Sequence, residues 1–277
     1  MIYASDLDRT LIYSLGAIGV PESTPGLVPA EVIDGRTRSY ISLRCLEMLQ
    51  ELADRILFVP VTTRTIAEYK RIGLFQTRLR PDYAVTSNGG NVLVHGAVDL
   101  QWRQEILRRV GADSAGADEA HRLLREVLRE EWIIDERYCD ELFYTYIVQR
   151  SLLPKEEIAA MSEHLRARGW KVSVQGRKLY AVPEPVNKRD AALYITSHFP
   201  GRPLIASGDS LLDQCLLESA DFAIAPCHGE IFAEQQERPV KLGYPFTGQS
   251  GVFAGDEILR YVQQKYDHLT GLEAGVS

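Results

Sequence analysis

The chain of 277 residues is predicted to fold as an α/β protein, a Rossmann-like parallel sheet interrupted by an inserted α+β unit. Three observations carry this prediction. Strand-like and helical segments alternate through the first ~90 residues, a rhythm that requires crossover connections and hence parallel pairing. The run Ile56-Leu57-Phe58-Val59-Pro60-Val61 is nearly unbroken in its apolarity, as a strand covered on both faces must be. After a middle third rich in hairpin signals, the first rhythm resumes beyond Pro183-Glu184-Pro185.

Taken in order, Ile2–Ser5 reads as the first strand. Gly16 to Gly35, dense in Gly and Pro, reads as an unusually long loop or flap. Leu43, Leu46, Leu49 and Leu52 recur at helical spacing and predict an amphipathic helix over Ser39–Asp54. A helix is expected from Thr65 to Leu74, and a third parallel strand over Tyr83–Thr86. Asn91–His95 and Leu100–Trp102 read as paired strands joined at Gly96. Ala117–Glu131 is expected to be helical, with Ala120, Leu123, Leu124, Val127 and Leu128 on one face. Ile133–Arg137 and Leu142–Val148 are strand-like, the second being rich in aromatic and β-branched residues. A helix over Pro154–Arg168 opens on Pro154 and closes at Gly169. Trp170–Val174 and Lys178–Val182 flank a turn at Gln175-Gly176-Arg177. Then come a helix over Asn187–Phe199, a strand over Leu204–Ser207, a helix over Leu211–Ala220, a strand over Asp221–Ala225 and a closing helix over Asp256–Tyr266. The boundaries fall at Gly89–Asn91 and Pro183–Val186, so a discontinuous core (1–90 and 185–277) is expected to hold a contiguous insert (91–184).

Composition narrows the function class. Apolar content of 45% and charged content of 25% are those of a globular protein. A net charge of −7 argues against a surface that coats nucleic acid. No apolar run reaches the ~20 residues of a membrane helix. The four cysteines, Cys45, Cys139, Cys215 and Cys227, lack C-x-x-C spacing, which speaks against a zinc cage and for reduced thiols. A cytoplasmic location is expected.

The chemistry concentrates in four places. Asp6-Leu7-Asp8-Arg9-Thr10 sets two carboxylates at i and i+2 where a buried strand ends, and their charges repel unless a cation or proton lies between them. A nucleophile and a proton donor for phosphoryl transfer would be arranged this way; an Asx-rich turn is the alternative. Val61-Thr62-Thr63-Arg64 places hydroxyls after an apolar strand, to grip a phosphoryl oxygen or simply to cap the next helix. Asn187-Lys188-Arg189-Asp190 opens a helix with a cation. Ser207-Gly208-Asp209-Ser210-Leu211-Leu212-Asp213 sets two acids at i and i+4 where a strand gives way to a helix, hard oxygen donors suited to Mg²⁺.

In this order, the four segments resemble the motifs of the haloacid dehalogenase superfamily of phosphatases, and the resemblance covers essentially the whole chain. The insert is similar to the larger cap of the branch containing sucrose-phosphate, mannosylphosphoglycerate and Cof-type sugar phosphatases, and Asn88-Gly89-Gly90 to the hinge before that cap. The resemblance implies that Asp6 forms an aspartyl-phosphate, that Asp8 is acid and then base, and that Thr62 and Lys188 position and neutralise the phosphoryl group. It also implies Mg²⁺ held by Asp6, the carbonyl of Asp8 and Asp209, with Asp213 as a direct or supporting partner. Arg9, Thr63, Arg64 and Asn88 are candidate substrate contacts.

Three residues depart from the family pattern. Arg9 stands where Gly is usual and is read equally as reaching for an anionic group or for solvent. Thr63 replaces the Gly of a common Thr-Gly-Arg motif, and Leu212 replaces a frequent Asn. Among the six histidines only His228, after a core strand, stands out. The expected activity is Mg²⁺-dependent hydrolysis of a small phosphorylated metabolite, a sugar phosphate first. A nucleotide or phosphoribosyl-type substrate, a phosphomutase and a non-catalytic phosphometabolite sensor are the alternatives. Neither a nucleic-acid nor a membrane partner is expected, and the sequence leaves the oligomeric state open. Arg137, Tyr144, Tyr146, Arg177 and Tyr180 are the insert's candidate specificity residues.

Overall fold

The computed structural model describes residues 1–271. Strand β1 (Ile2–Ser5) is buried throughout. The Gly/Pro-rich stretch expected as loop instead contains a short strand β2 (Tyr13–Ser14) and a hairpin of β3 (Leu27–Ile33) and β4 (Arg36–Ser42). The hairpin turns at Asp34-Gly35, both with positive φ (50° and 70°), the backbone that a two-residue loop between twisted strands requires. Residues 39–42, expected in the first helix, therefore belong to β4, and α1 (Leu43–Ala53) starts where Ser42 accepts from Cys45 N. After β5 (Leu57–Pro60) the expected single helix is two short ones, α2 (Ile66–Lys70) and α3 (Gly73–Thr77).

β6 (Tyr83–Thr86) also departs from expectation. It touches the parallel sheet through one parallel bridge, Val61 to Val85, and otherwise pairs antiparallel with β7 (Asn91–Val94), which pairs with β8 (Ala97–Val98). Leu100–Trp102 is not a strand but the first turn of α4 (Leu100–Asp113), capped by Asp99, whose side chain accepts from Gln101 N and Trp102 N. Trp102 and Ile106 of this helix lie in one buried cluster with Ile2, Ala4 and Val59. Residues 91–113, expected in the insert, thus pair and pack with elements of the core.

The next segment is α+β as expected. Helix α5 (Ala117–Val127), strands β9 (Ile133–Cys139) and β10 (Phe143–Val148), helix α6 (Lys155–Arg166) and strands β11 (Trp170–Gln175) and β12 (Lys178–Pro183) follow in turn. They form an antiparallel sheet of order β11-β12-β10-β9. Leu124, Tyr146, Met161, Leu165 and Trp170 share its apolar core with the two helices.

The chain then completes the parallel sheet with α7 (Lys188–Ser197), β13 (Leu204–Ser207), α8 (Gln214–Ser219), β14 (Phe222–Ile224), α9 (Glu230–Glu237) and α10 (Val252–Thr270). The sheet runs β14-β13-β1-β5, all parallel. Alternation along β1 divides its two faces: Ile2 and Ala4 pack with Ala191, Ile195 and Leu216, whereas Tyr3 packs with Leu46, Leu49, Ile258 and Val262. Among the described residues no helix is long and apolar enough to cross a membrane, and all four cysteines are free.

Candidate active site

Register brings the motif residues together. Ser5 sits opposite Ser207 on one side and Pro60 on the other, so Asp6, Thr62 and Asp209 leave the sheet along one edge. Asp6 is buried, its N–H donating to Ser207 O at 2.9 Å. Thr10 Oγ1 donates to Asp6 Oδ2 at 3.1 Å, and Lys188 Nζ donates to Oδ1 at 2.7 Å. Lys188 is the first residue of α7 and is aimed by Asn187, whose side chain caps that helix by accepting from Asp190 N. Its ammonium, fully buried, also donates to Asp213 Oδ1. The second oxygen of Asp213 accepts from Ser210 N at 2.9 Å and Ser210 Oγ at 2.7 Å. Gly208 permits this turn, because a Cβ there would lie 2.4 Å from Asp213 Cβ.

Burial pushes the Asp6 carboxyl up to about 7, against the pull of Lys188. Burial and the neighbouring Asp6 push Asp209 well above the carboxylate range. Burial works against the Lys188 ammonium, yet Asp213 and Asp6 outweigh it and hold its pKa above the ordinary value. The net effect is a buried acidic cluster short of positive charge.

Asp8 is held differently. Arg64 grips it with two bonds, Nε to Oδ2 at 2.7 Å and Nη2 to Oδ1 at 2.8 Å. Partial burial opposes ionisation, but Arg64 prevails and sets the Asp8 pKa below its ordinary value. The third arm of Arg64 bonds the buried Glu31 of β3 at 2.8 Å, and Arg71 reaches the other Glu31 oxygen at 3.3 Å. Glu31 was not singled out in the sequence; a lone acid in the apolar strand Leu27–Ile33 was its only trace.

A cavity of about 640 Å³ opens over Asp6. Asp8, Arg9, Thr63, Arg64, Lys188, Asp209 and Glu230 line it from the core, and Ile147, Gln175, Arg177, Lys178 and Tyr180 from the antiparallel layer. Of the specificity candidates, Arg177 and Tyr180 face this space. Tyr144 and Tyr146 pack inside their own layer, and Arg137 pairs with Asp135 and Glu68. Gln175, Lys178 and Glu230 were missed. Lys178 adjoins a hairpin turn, and Glu230 follows Gly229 at a helix start, positions that look solvated in sequence.

Thr62 is buried outside the cavity lining, its Oγ1 accepting from Arg64 N at 3.1 Å, which leaves the hydroxyl proton available. Asn88 also lies outside the lining; its amide donates to Val186 O at 3.0 Å. Arg9 is half-exposed at the cavity wall, and its guanidinium turns back onto the core. Its Nε donates to Asp209 Oδ2 at 3.0 Å and its Nη2 to His228 O at 2.8 Å. His228 Nε2 meets Arg9 O at 2.9 Å while Nδ1 accepts from Gly251 N at 3.2 Å, which assigns the proton to Nε2. Burial lowers the His228 pKa.

Asp6, Asp209 and Asp213 each offer a carboxylate oxygen, all within 4.8 Å of one another. This hard-oxygen set fits Mg²⁺.

The model of the family described as sucrose-6F-phosphate phosphohydrolase matches residues 1–237. Among solved structures, the chain resembles the sucrose-phosphatase from Synechocystis sp. PCC6803, crystallised with sucrose and phosphate: TM-score 0.68, 17% identity, 95% of this chain and 97% of that one. It also resembles a subclass IIB sugar phosphatase of the haloacid dehalogenase superfamily, with TM-score 0.58, 14% identity and coverage of 95% and 98%. A phosphatase of the same superfamily from Bacteroides thetaiotaomicron gives TM-score 0.55, 12% identity and coverage of 95% and 94%. At these identities the likeness shows the fold. No curated protein sequence matches significantly.

Proposed function

Because the chain belongs to the sucrose-6F-phosphate phosphohydrolase family of haloacid dehalogenase phosphatases, we propose that it hydrolyses a small sugar phosphate through a covalent intermediate on Asp6. The carrying observation is the placement of Asp6. It ends the central strand β1 under a cavity, with both carboxylate oxygens held, by Lys188 at 2.7 Å and Thr10 at 3.1 Å. A carboxylate that cannot rotate is a positioned nucleophile.

In the first step an Asp6 oxygen attacks phosphorus, the bond from phosphorus to the sugar oxygen breaks, and a proton from Asp8 goes to that oxygen. In the second step ionised Asp8 takes a proton from water, the water oxygen attacks phosphorus, and the bond to Asp6 breaks to release inorganic phosphate. Lys188 offsets charge on Asp6 and on the phosphoryl group. The clamp by Arg64 holds Asp8 in the ionised form the second step uses. Entry of substrate must loosen that clamp before Asp8 can serve as acid. Asp6, Asp209 and the carbonyl of Asp8 are the residues proposed to hold Mg²⁺. Asp213 serves as their support, since Lys188 and Ser210 engage its two oxygens. What the ion supplies when bound is positive charge against the phosphoryl oxygens.

The core segments 1–90 and 185–277 supply every group named above, and within the insert 91–184 the antiparallel layer with its two helices, Ala117 to Pro183, is proposed as a cap that reads the sugar. Gln175, Arg177, Lys178 and Tyr180 are its reading side chains, because they line the cavity. Asp6→Asn is expected to abolish turnover of sucrose 6-phosphate and related sugar phosphates while leaving thermal unfolding near wild type, since the amide is nearly isosteric. Near-native kcat in that variant would sink the covalent mechanism. A turnover panel preferring nucleoside monophosphates would overturn the sugar reading.

A further inference from the structure

Arg9 occupies a backbone conformation that side-chain-bearing residues rarely adopt, with φ at 64°. Its backbone is fixed at both ends. Arg9 N donates to Ile12 O at 2.8 Å, and Arg9 O accepts from His228 Nε2 at 2.9 Å. The guanidinium then returns to His228, donating to its carbonyl at 2.8 Å, and presents Nε to Asp209 at 3.0 Å. Backbone and side chain together make a built clamp on one carboxylate.

Charge explains why a clamp is needed there. Lys188 bonds Asp6 and Asp213 but makes no ion pair with Asp209, although Asp209 is only 6% exposed. An unpaired charge at that depth is costly, and Arg9 is the cation that meets it. The Arg9 side chain is 48% exposed and lines the cavity, so unlike Lys188 it can leave its partner without unpacking the core.

We propose that Arg9 is an internal stand-in cation for Asp209, which a divalent metal must displace and which a phosphorylated ligand draws away by offering a second anionic partner. The proposal rests on the reading of Asp209 as a metal ligand. In consequence the metal binds the free protein weakly, and metal and phosphate each strengthen the binding of the other.

Mn²⁺ titration of metal-stripped protein, followed by electron paramagnetic resonance, measures this without turnover. Wild type is compared with Arg9→Gly and Arg9→Met, with and without inorganic phosphate. Gly adopts this φ without strain and Met keeps the aliphatic bulk, and circular dichroism verifies both folds. Lys178→Gln removes another cation from the cavity lining and controls for plain loss of charge.

Without phosphate, both Arg9 variants are expected to bind Mn²⁺ about fivefold more tightly than wild type, the scale of a half-exposed ion pair. Lys178→Gln is expected to change affinity by less than about twofold, through screened long-range charge alone. Phosphate should tighten Mn²⁺ binding more in wild type than in Arg9→Gly. Equal affinities in wild type and the Arg9 variants, or an equal gain in Lys178→Gln, overturn the stand-in role alone. Absence of Mn²⁺ binding in all four proteins overturns the metal reading of Asp209 and this proposal with it.

Discussion

Lys188 shows most directly how one residue holds the site together. Two buried carboxylates share its ammonium, so Lys188→Met should destabilise the fold by about 3–5 kcal/mol, the cost of stranding buried charge. The sign of the pH response follows from Asp6. Its folded pKa, about 7, lies above the ordinary 3.8, so stability is full below 3.8 and is lost as pH rises through the folded value. Without Lys188 the folded pKa moves further up. The unfolding temperature of metal-free Lys188→Met should therefore rise as the pH is lowered from about 8 to about 5, more steeply than in wild type; a flat profile would count against the shared-ammonium account. Arg64→Met should release Asp8 from its depressed pKa, carrying the alkaline limb of kcat/KM to higher pH, and should cost about 2–3 kcal/mol because Glu31 keeps only Arg71. Asp6, Asp8, Lys188, Asp209 and Asp213 could be read in the chain because each sits at a strand end or helix start whose local pattern shows it. The Arg64–Glu31 contact could not. It spans 33 positions, and nothing near Glu31 marks it as facing Arg64.

Elements were legible where periodicity was local and strong. Burial of Leu46, Leu49 and Leu52 on α1 and of β1 along its length follows from side-chain pattern alone. The hairpin β3–β4 was hidden because its Gly and Pro residues suggest a loop, while its strands are held by pairing across a turn rather than by propensity. Helix α4 was hidden because only Trp102 and Ile106 are buried on it, too few to show a period. The turn between β6 and β7 yields a test at this scale. Gly89 has φ at 102°, and a Cβ there would lie 2.0 Å from Asn187 O. Gly89→Ala is expected to lose more than about 2 kcal/mol by strain and clash. Gly16→Ala, where a Cβ meets nothing within 4 Å, should stay within about 0.5 kcal/mol. Chemical denaturation of both decides; equal midpoints would remove Gly89 from any structural role.

For the whole molecule, the parallel order of alternating strands and helices was enough to foresee the sheet, since right-handed crossovers leave few alternatives. Where β6 leaves that sheet was not foreseeable, because an antiparallel partner and a parallel one demand the same apolar pattern. Division of labour between the two layers makes two expectations. Exhaustive chelation should silence hydrolysis of every substrate, and Mg²⁺ should restore it. Alanine changes at Arg177 or Lys178 should lower kcat/KM for sugar phosphates by about tenfold while sparing p-nitrophenyl phosphate, which offers the antiparallel layer little to hold; parallel losses on both substrates would contradict the division. Two core segments also meet side by side: Asn88 donates to Val186 O at 3.0 Å, and a Cβ on Gly89 would lie 2.0 Å from Asn187 O. Asn187 lies at that meeting point, and the next residue along the chain is Lys188, whose ammonium bonds Asp6. A displacement of the Asn88–Gly89 turn would thus reach the Asp6 carboxylate through one peptide bond and one side chain.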